Sequence, residues 1–235
     1  MTSLRPLPEF QNMVAVCQQR FAEIQPTVHP ALLVRQPAKQ AGALPLLIAL
    51  HGNGENASVT LEYWKEITAQ GWLLAVPQSS QIYDPDSFVW DDREVGIGEI
   101  RAHLALLSRE QMVNQNRVVL GGFSMGSGQA VWMALNQSIK ARGFVVLAPY
   151  LTSAELEALP TLLESQELAN LRGSILVGEE DIKCLEVSRK VVEIMRAYNL
   201  PCELEIHPGP DHDYPPNFAE FVRKGLAFIE EETSN

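Results

Sequence analysis

Short apolar runs alternate with longer amphipathic stretches along most of the chain. The runs Ala31–Arg35, Pro45–Leu50, Trp72–Val76, Arg117–Gly121, Gly143–Ala148, Ser174–Gly178 and Cys202–His207 have strand length. Most are near-continuously apolar, which is the pattern of strands covered on both faces. Between them apolar residues recur at helical spacing, as in Ile97, Ile100, Leu104 and Leu107, or Phe218, Phe221, Val222 and Ile229. The pattern predicts an α/β fold, with a mostly parallel central sheet of about seven strands and helices on both faces. Ser58 stands where it would cap a helix running to Gly71. Leu7–Ile24 reads as a separate amphipathic helix lying across the sheet or its edge, and Ala31–Arg35 as an edge strand.

Two connections, Pro77–Asp92 and Pro149–Arg172, are longer than connectors need to be. The second is expected to hold a short helix that caps the site. No repeat, low-complexity tract or linker interrupts the chain, so residues 1–235 are read as one domain. Within it, 1–43 form the N-terminal helix and edge strand and 149–172 a small insertion.

Composition narrows the function. With 46% apolar and 20% charged residues the chain is that of an ordinary globular protein. A formal charge of −11 argues against nucleic acid, whose phosphates call for concentrated Lys and Arg, and against an anionic membrane surface. No signal peptide or membrane span is visible. Cys17, Cys184 and Cys202 are few, odd in number and without zinc spacing, which favours a reduced, cytoplasmic setting and no metal. A monomer and a homodimer fit the sequence equally.

The chemistry is concentrated at the ends of the apolar runs. Val118-Val119-Leu120 stops at Gly121-Gly122, and Phe123-Ser124-Met125-Gly126 leads into a helix-compatible stretch. A serine at the apex of a sharp strand-to-helix turn is strained, and its neighbours two positions away come close in space, so only glycine fits there. A serine hydroxyl is a poor nucleophile and needs a base, which needs an orienting group. Two later strand ends offer both. Ser174–Gly178 leads into Glu179-Glu180-Asp181, and Cys202–His207 into Pro208-Gly209-Pro210-Asp211-His212. The order Ser124, Asp181, His212 is nucleophile, acid, base. His51-Gly52-Asn53-Gly54 ends an earlier run and matches a loop that donates a backbone N–H to an oxyanion. Asn53 is the first choice there and Gly54 the second, with the Met125 amide as the other donor.

Leu50-His51-Gly52-Asn53-Gly54, Gly122-Phe123-Ser124-Met125-Gly126, Gly178-Glu179-Glu180-Asp181 and His212-Asp213-Tyr214-Pro215 together resemble the α/β-hydrolase superfamily. Within it the chain looks like the phospholipase/carboxylesterase-like and dienelactone-hydrolase-like branch, from about Leu44 to Ile229. Serine stands where dienelactone hydrolases have cysteine. One strand precedes Leu44, fewer than the family usually has. The resemblance implies hydrolysis of a carboxylic ester, or a thioester, of small size through an acyl–Ser124 intermediate, with no cofactor. It also implies that an aromatic at Trp90 borders the acyl pocket. Acyl transfer, peptide hydrolysis and a non-catalytic binding relative are the competing readings.

Each residue also has a plainer role. Asp181 could simply cap the following helix, with Glu180 or Glu179 standing in as the acid. His207 reads as the solvated face of an edge strand, His103 as an exposed flank of its helix, and His51 as a residue that shapes its loop by hydrogen bonding. His29 lies outside the resembling region. Trp90, Tyr83, Phe88, Tyr150 and Leu151 are candidates for the pocket or for ordinary packing. Cys184 reads as a small buried hydrophobe, and the acidic tail from Glu230 as a solvated helix end.

Overall fold

The computed structural model describes residues 4–39, 42–110, 113–164, 168, 171–209 and 211–231. Among the described residues nine strands form: β1 Ala31–Arg35, β2 Leu44–Leu50, β3 Leu73–Gln78, β4 Ile82–Asp84, β5 Ser87–Phe88, β6 Val113–Phe123, β7 Gly143–Leu147, β8 Arg172–Gly178 and β9 Cys202–His207. Seven α-helices accompany them: α1 Pro8–Ile24, α2 Ala57–Trp64, α3 Arg93–Glu110, α4 Ser124–Leu135, α5 Ser153–Glu164, α6 Ile182–Ala197 and α7 Phe218–Glu230. The main sheet has seven strands in the order β1-β3-β2-β6-β7-β8-β9. All its pairings are parallel except that of β1 with β3. The expected mostly parallel sheet is therefore present, with each expected apolar run supplying one of its strands.

Alternation along the strands divides the core in two. Leu46, Ile48, Leu50, Val118, Leu120, Phe144 and Val146 face one layer, with Ile97, Ile100, Met133, Val191 and Met195 from the helices over it. Leu47, Ala49, Val119, Val145 and Leu147 face the other, against Trp64, Phe218, Phe221 and Leu226. Every residue of β2 is buried, as a central parallel strand requires.

Several local expectations are corrected. The cap of α2 is Asn56, whose side chain accepts from the amides of Ser58 and Val59; Ser58 is one of the capped residues. A 3-10 turn, Lys65–Gln70, extends this helix to Gly71, which ends it at φ 84°. The Pro77–Asp92 connection contains the β4–β5 hairpin, turned over Asp84-Pro85-Asp86. His103 is half-buried, and its Nε2 has no hydrogen-bond partner among the described residues. On the edge strand β9, Ile206 is 40% exposed and His207 only partly so, because the outermost strand leaves both of its faces incompletely covered.

The acidic tail is not merely solvated. Arg117 pairs with Glu230, Arg172 reaches Glu231 at 2.9 Å, and Arg142 and Arg172 donate to the carbonyls of Ile229 and Phe228 at 3.0 and 3.1 Å. Three guanidinium groups thus occupy the negative end of α7, where cations satisfy carbonyls left over by the helix.

The insertion holds α5 as expected. Its Leu159 and Leu163 enter the core on the face that α4 and α6 share. α1 forms as expected but does not lie across the sheet: none of its residues is buried. The nearby edge strand β1 has only Leu32 and Leu33 partly covered, both already packed against the core, and so offers no apolar trough. What fastens this segment is Gln25 in the turn after α1, which donates to Ser80 O at 2.8 Å and accepts from Ile82 N at 3.1 Å.

Candidate active site

β6 runs directly into α4, and the first helical residue, Ser124, has φ 54°. A non-glycine residue in that region is strained, and the tight packing around the turn holds it there. A Cβ on Gly122 would lie 2.7 Å from Gly126 C, and one on Gly126 would lie 2.3 Å from His51 O. Both glycines are therefore required by close approach of backbone. Downstream, Ser127 Oγ donates to Leu147 O at 2.7 Å and Tyr150 N donates to Ser124 O at 3.1 Å, tying the turn to the end of β7.

Three side chains from three strand ends meet there. His212 Nε2 lies 2.7 Å from Ser124 Oγ, and its Nδ1 lies 2.5 Å from Asp181 Oδ2. Asp181 is buried, whereas the His212 side chain is 38% exposed. The other Asp181 oxygen accepts from Cys184 N at 3.2 Å, so this carboxylate also caps α6. The two roles set against each other from sequence are filled by one side chain. Glu179 and Glu180 are exposed, and neither bonds His212.

Cys184 Sγ stands 3.8 Å from His212 Nδ1. Burial and the adjacent Asp181 charge push its thiol well above the usual range, so it stays neutral. Asp181, Cys184 and His212 present an oxygen, a sulfur and a nitrogen within 4.8 Å of one another. A metal there would have to displace the proton shared by His212 and Asp181 and ionise this thiol, so the donor set suits proton transfer better.

The loop after β2 is held from several sides. Gly52 N donates to Glu55 Oε2 at 2.8 Å, Gly54 N to Phe88 O at 3.0 Å, and Glu55 N to Gly52 O at 3.3 Å. Among the described residues these bonds leave Asn53 as the loop amide without a partner, while Gly54, the second choice from sequence, is committed. Met125 N belongs to the first turn of α4, where no intrahelical carbonyl precedes it. His51 is fully buried. Its Nδ1 lies 2.9 Å from Gly52 O and its Nε2 3.3 Å from Ser79 N. Nδ1–H thus donates and Nε2 accepts, a neutral tautomer. Desolvation lowers its pKa to about 4. It braces the loop, as its position suggested.

The pocket candidates divide. Trp90, Phe88 and Leu151 are buried, while Tyr83 and Tyr150 are 64% and 44% exposed. Trp90 Nε1 donates to His51 O at 3.0 Å, its backbone N lies 3.3 Å from Met125 Sδ, and its ring stacks on His51 at 4.8 Å. The indole therefore packs beneath the loop and joins it to α4; it is not a free pocket wall. A buried N–H seeks an acceptor, and the carbonyl of His51 supplies one. Leu151 is likewise core.

Two contributors were not singled out from sequence. Glu55 clamps Gly52, and burial raises its carboxyl pKa against the opposing pull of Gly52 N–H and His212. Its signal was the spacing, an acidic side chain three residues beyond the amide it bonds. Tyr214 lies two residues past His212 and stacks on Tyr63 at 3.8 Å, with Phe123 at 4.7 Å and Phe218 at 5.0 Å. Phe123 also lies 4.8 Å from the His212 ring. This aromatic cluster anchors the loop that carries His212.

No protein-family model and no curated protein matches the sequence. Solved structures do. An uncharacterized protein from Bacillus cereus is 32% identical, with a TM-score of 0.75 over 97% of this chain and 72% of that one. A putative dienelactone hydrolase from Klebsiella pneumoniae is similar at 15% identity, with a TM-score of 0.67 over 86% of this chain and all of that one (100%). Zea mays acyl-protein thioesterase 2 is similar at 16% identity, with a TM-score of 0.64 over 86% and 99% of the two chains. The chain thus has the α/β-hydrolase fold, and it belongs to one family with the Bacillus cereus protein.

Proposed function

We propose that this protein is a serine hydrolase that cleaves small carboxylic esters, thioesters included, through an acyl–Ser124 intermediate. The observation that carries this reading is the unbroken path from Ser124 Oγ through His212 to Asp181 Oδ2, with steps of 2.7 and 2.5 Å. His212 Nε2 takes the hydroxyl proton as Ser124 attacks the carbonyl carbon and then gives it to the leaving alcohol or thiol. Asp181 fixes the tautomer with its proton on Nδ1 and stabilises the imidazolium. The Asn53 and Met125 amides receive the oxyanion, a contribution of about 2.7–4 kcal/mol per donor in comparable sites. Water activated by His212 then releases the acid. Tyr83 and Tyr150, exposed, are assigned to the rim of the substrate pocket. No cofactor enters this chemistry. The named activities of the thioesterase and hydrolase neighbours are compatible with it.

Among the described residues no helix is long and apolar enough to cross a membrane. A cytoplasmic setting fits the three free cysteines. The test is turnover of short-chain nitrophenyl esters and thioesters by the wild type and Ser124→Ala, beside labelling by a fluorophosphonate probe. Loss of at least about a thousandfold in kcat with loss of labelling is expected. Equal turnover in the variant would end the proposal. An unlabelled wild type would favour a binding protein, and ester exchange onto an added alcohol would favour acyl transfer.

A further inference from the structure

The loops that ring the catalytic edge of the sheet carry charge of one sign. Residues 51–56, 79–92, 148–152, 179–181 and 208–217 follow β2, β3, β7, β8 and β9. Between them they hold ten aspartates and glutamates and no lysine or arginine. Cations stand at the other edge instead, with Lys39, Lys140, Arg142 and Arg172 in its loops and strand starts. A net charge of −11 keeps a chain soluble wherever its carboxylates sit. Their segregation around the proposed active site is a separate fact and needs a separate cause.

Part of the cause is structural. Asp92 Oδ1 accepts from Glu94 N and Val95 N at the start of α3, Asp181 caps α6, and Asp84 Oδ1 accepts from Asp86 N inside the hairpin. Helix N-termini favour such carboxylates. Glu179, Glu180 and Asp211 have no such duty. They are exposed, and among the described residues none of them forms an ion pair. Asp213, also exposed, accepts from Tyr214 N at 2.7 Å. These four bracket the catalytic pair in the chain, two just before Asp181 and one on either side of His212. They are near it in space as well. Asp213 and His212 both act on the Glu55 carboxyl, and Asp211 acts on the Cys184 thiol, itself 3.8 Å from His212 Nδ1. Lys183 stands against them, exposed in the first turn of α6, while Arg93 is joined to Glu155.

The side on which these carboxylates lie has a chemical meaning. A base that returns its proton to the departing alcohol or thiol must have that group against its imidazole. Taking the acyl–Ser124 reading as its ground, we infer that the substrate is an ester or thioester whose leaving alcohol or thiol carries a positive charge, such as an ammonium group. The acyl carbon bonds Ser124 Oγ as its bond to the leaving oxygen or sulfur breaks. The Oγ proton passes through His212 Nε2 to that departing atom, and the ammonium group takes no part in the exchange. Carboxylates around a cleft raise the local concentration of a cation and lower that of an anion. A leaving group with a carboxylate, sulfonate or phosphate in the same place is therefore disfavoured.

The test uses the full chain and three butyryl thioesters. One leaving group is thiocholine, one its uncharged isostere 3,3-dimethylbutanethiol, and one the anionic 2-mercaptoethanesulfonate. Values of kcat/KM are compared at about 10 mM and about 1 M salt, between which the screening length falls from about 30 to about 3 Å. At low salt the cationic thioester should exceed its isostere by about tenfold or more, chiefly through KM, and the anionic one should fall below it. High salt should bring all three together. Glu179→Gln/Glu180→Gln/Asp211→Asn should cut the low-salt ratio of cationic to neutral turnover by about threefold or more, and a general loss of activity cancels from that ratio. A cationic thioester no better than its isostere at low salt overturns the inference, as does an anionic one turned over equally well. A preference untouched by the triple substitution overturns it too, since the recognition then lies elsewhere. Turnover and fluorophosphonate labelling without charge preference remove this inference alone. No turnover of any thioester and no labelling remove the hydrolase reading, and this inference falls with it.

Discussion

Asp181 carries two loads, one on each oxygen, and they can be separated. Oδ2 holds His212 Nδ1 at 2.5 Å and Oδ1 caps α6 through Cys184 N at 3.2 Å. A carboxylate accepts from both; an amide has one acceptor to give. In Asp181→Asn, keeping the carbonyl on Cys184 N turns the NH2 toward His212 Nδ1. That forces the imidazole proton onto Nε2, where it cannot act as a base. Keeping the carbonyl on His212 instead sets NH2 against the Cys184 amide, two donors facing each other in a buried place. The helix cap is worth about 1 kcal/mol, whereas the wrong tautomer in a comparable triad costs about 10⁴ in kcat. At 1.36 kcal/mol per decade that is about 5.4 kcal/mol of transition-state stabilisation. Asp181→Asn should thus lose on the order of 10³–10⁴ in kcat and, with the cap kept, melt near the wild type. Asp181→Ala loses the cap as well, and about 1 kcal/mol in a chain of this size lowers Tm by about 2–4 °C. The assay is nitrophenyl-ester turnover beside a thermal melt for each variant. Turnover of Asp181→Asn within tenfold of wild type would refute the orienting role, and equal melting of the alanine variant would refute the cap.

Acid should destabilise the fold through His51. Its pKa is lowered from 6.5 to about 4, so the unfolded chain binds a proton over a range where the folded one does not. The contribution is fully present above pH 6.5 and falls away as the pH drops toward 4, by about 3 kcal/mol in all. Urea melts across that range should show the loss, and His51→Gln, which can still donate to Gly52 and accept from Ser79, should flatten it; an unchanged slope would count against the assignment. Gly128→Ala should prevent folding, since its Cβ would lie 1.8 Å from Tyr150 O, whereas Gly98→Ala, with nothing within 4 Å, should stabilise α3 by about 0.5–1 kcal/mol in denaturant melts. The Tyr214 hydroxyl is buried beside Thr60 and Trp64, which ease its desolvation but stand outside good hydrogen-bond geometry with it. Tyr214→Phe should therefore keep both stability and kcat within about twofold, while Tyr214→Ala, which empties the stack on Tyr63, should lower kcat with little change in KM.

Ser124, Asp181, His212 and the loop at Asn53 were legible because each stands at a strand end, where local pattern locates it and chain order suggests its role. The sheet was legible for the same reason, since near-continuous apolar runs leave few alternatives to buried parallel strands. Trp90 was not. Whether an aromatic beside a site lines it or supports it depends on the path of the hairpin after β3, and that path is set by bonds such as Gly54 N to Phe88 O between residues far apart in sequence. The acidic end of α7 was hidden for the same reason, because Arg117, Arg142 and Arg172 converge on residues 228–231 only once β6 to β8 are in register. The turn at Asp84-Pro85-Asp86 carries a readable signal, a proline between two aspartates, although the strands it joins are too short to show in the apolar pattern. For α1 the periodicity announced a helix but could not say what, if anything, it would rest upon.

His212 hangs from the segment that leaves β9, and β9 is the last strand at one border of the sheet, supported by a neighbour on one side alone. Border strands fray at a smaller cost than global melting. On the proposed mechanism, withdrawing the imidazole by a few ångströms would silence the serine while β2, β6 and β7 remained intact. Heat inactivation of this molecule should accordingly report the fastening of one peripheral ribbon, and a sample that has stopped turning over need not have unfolded.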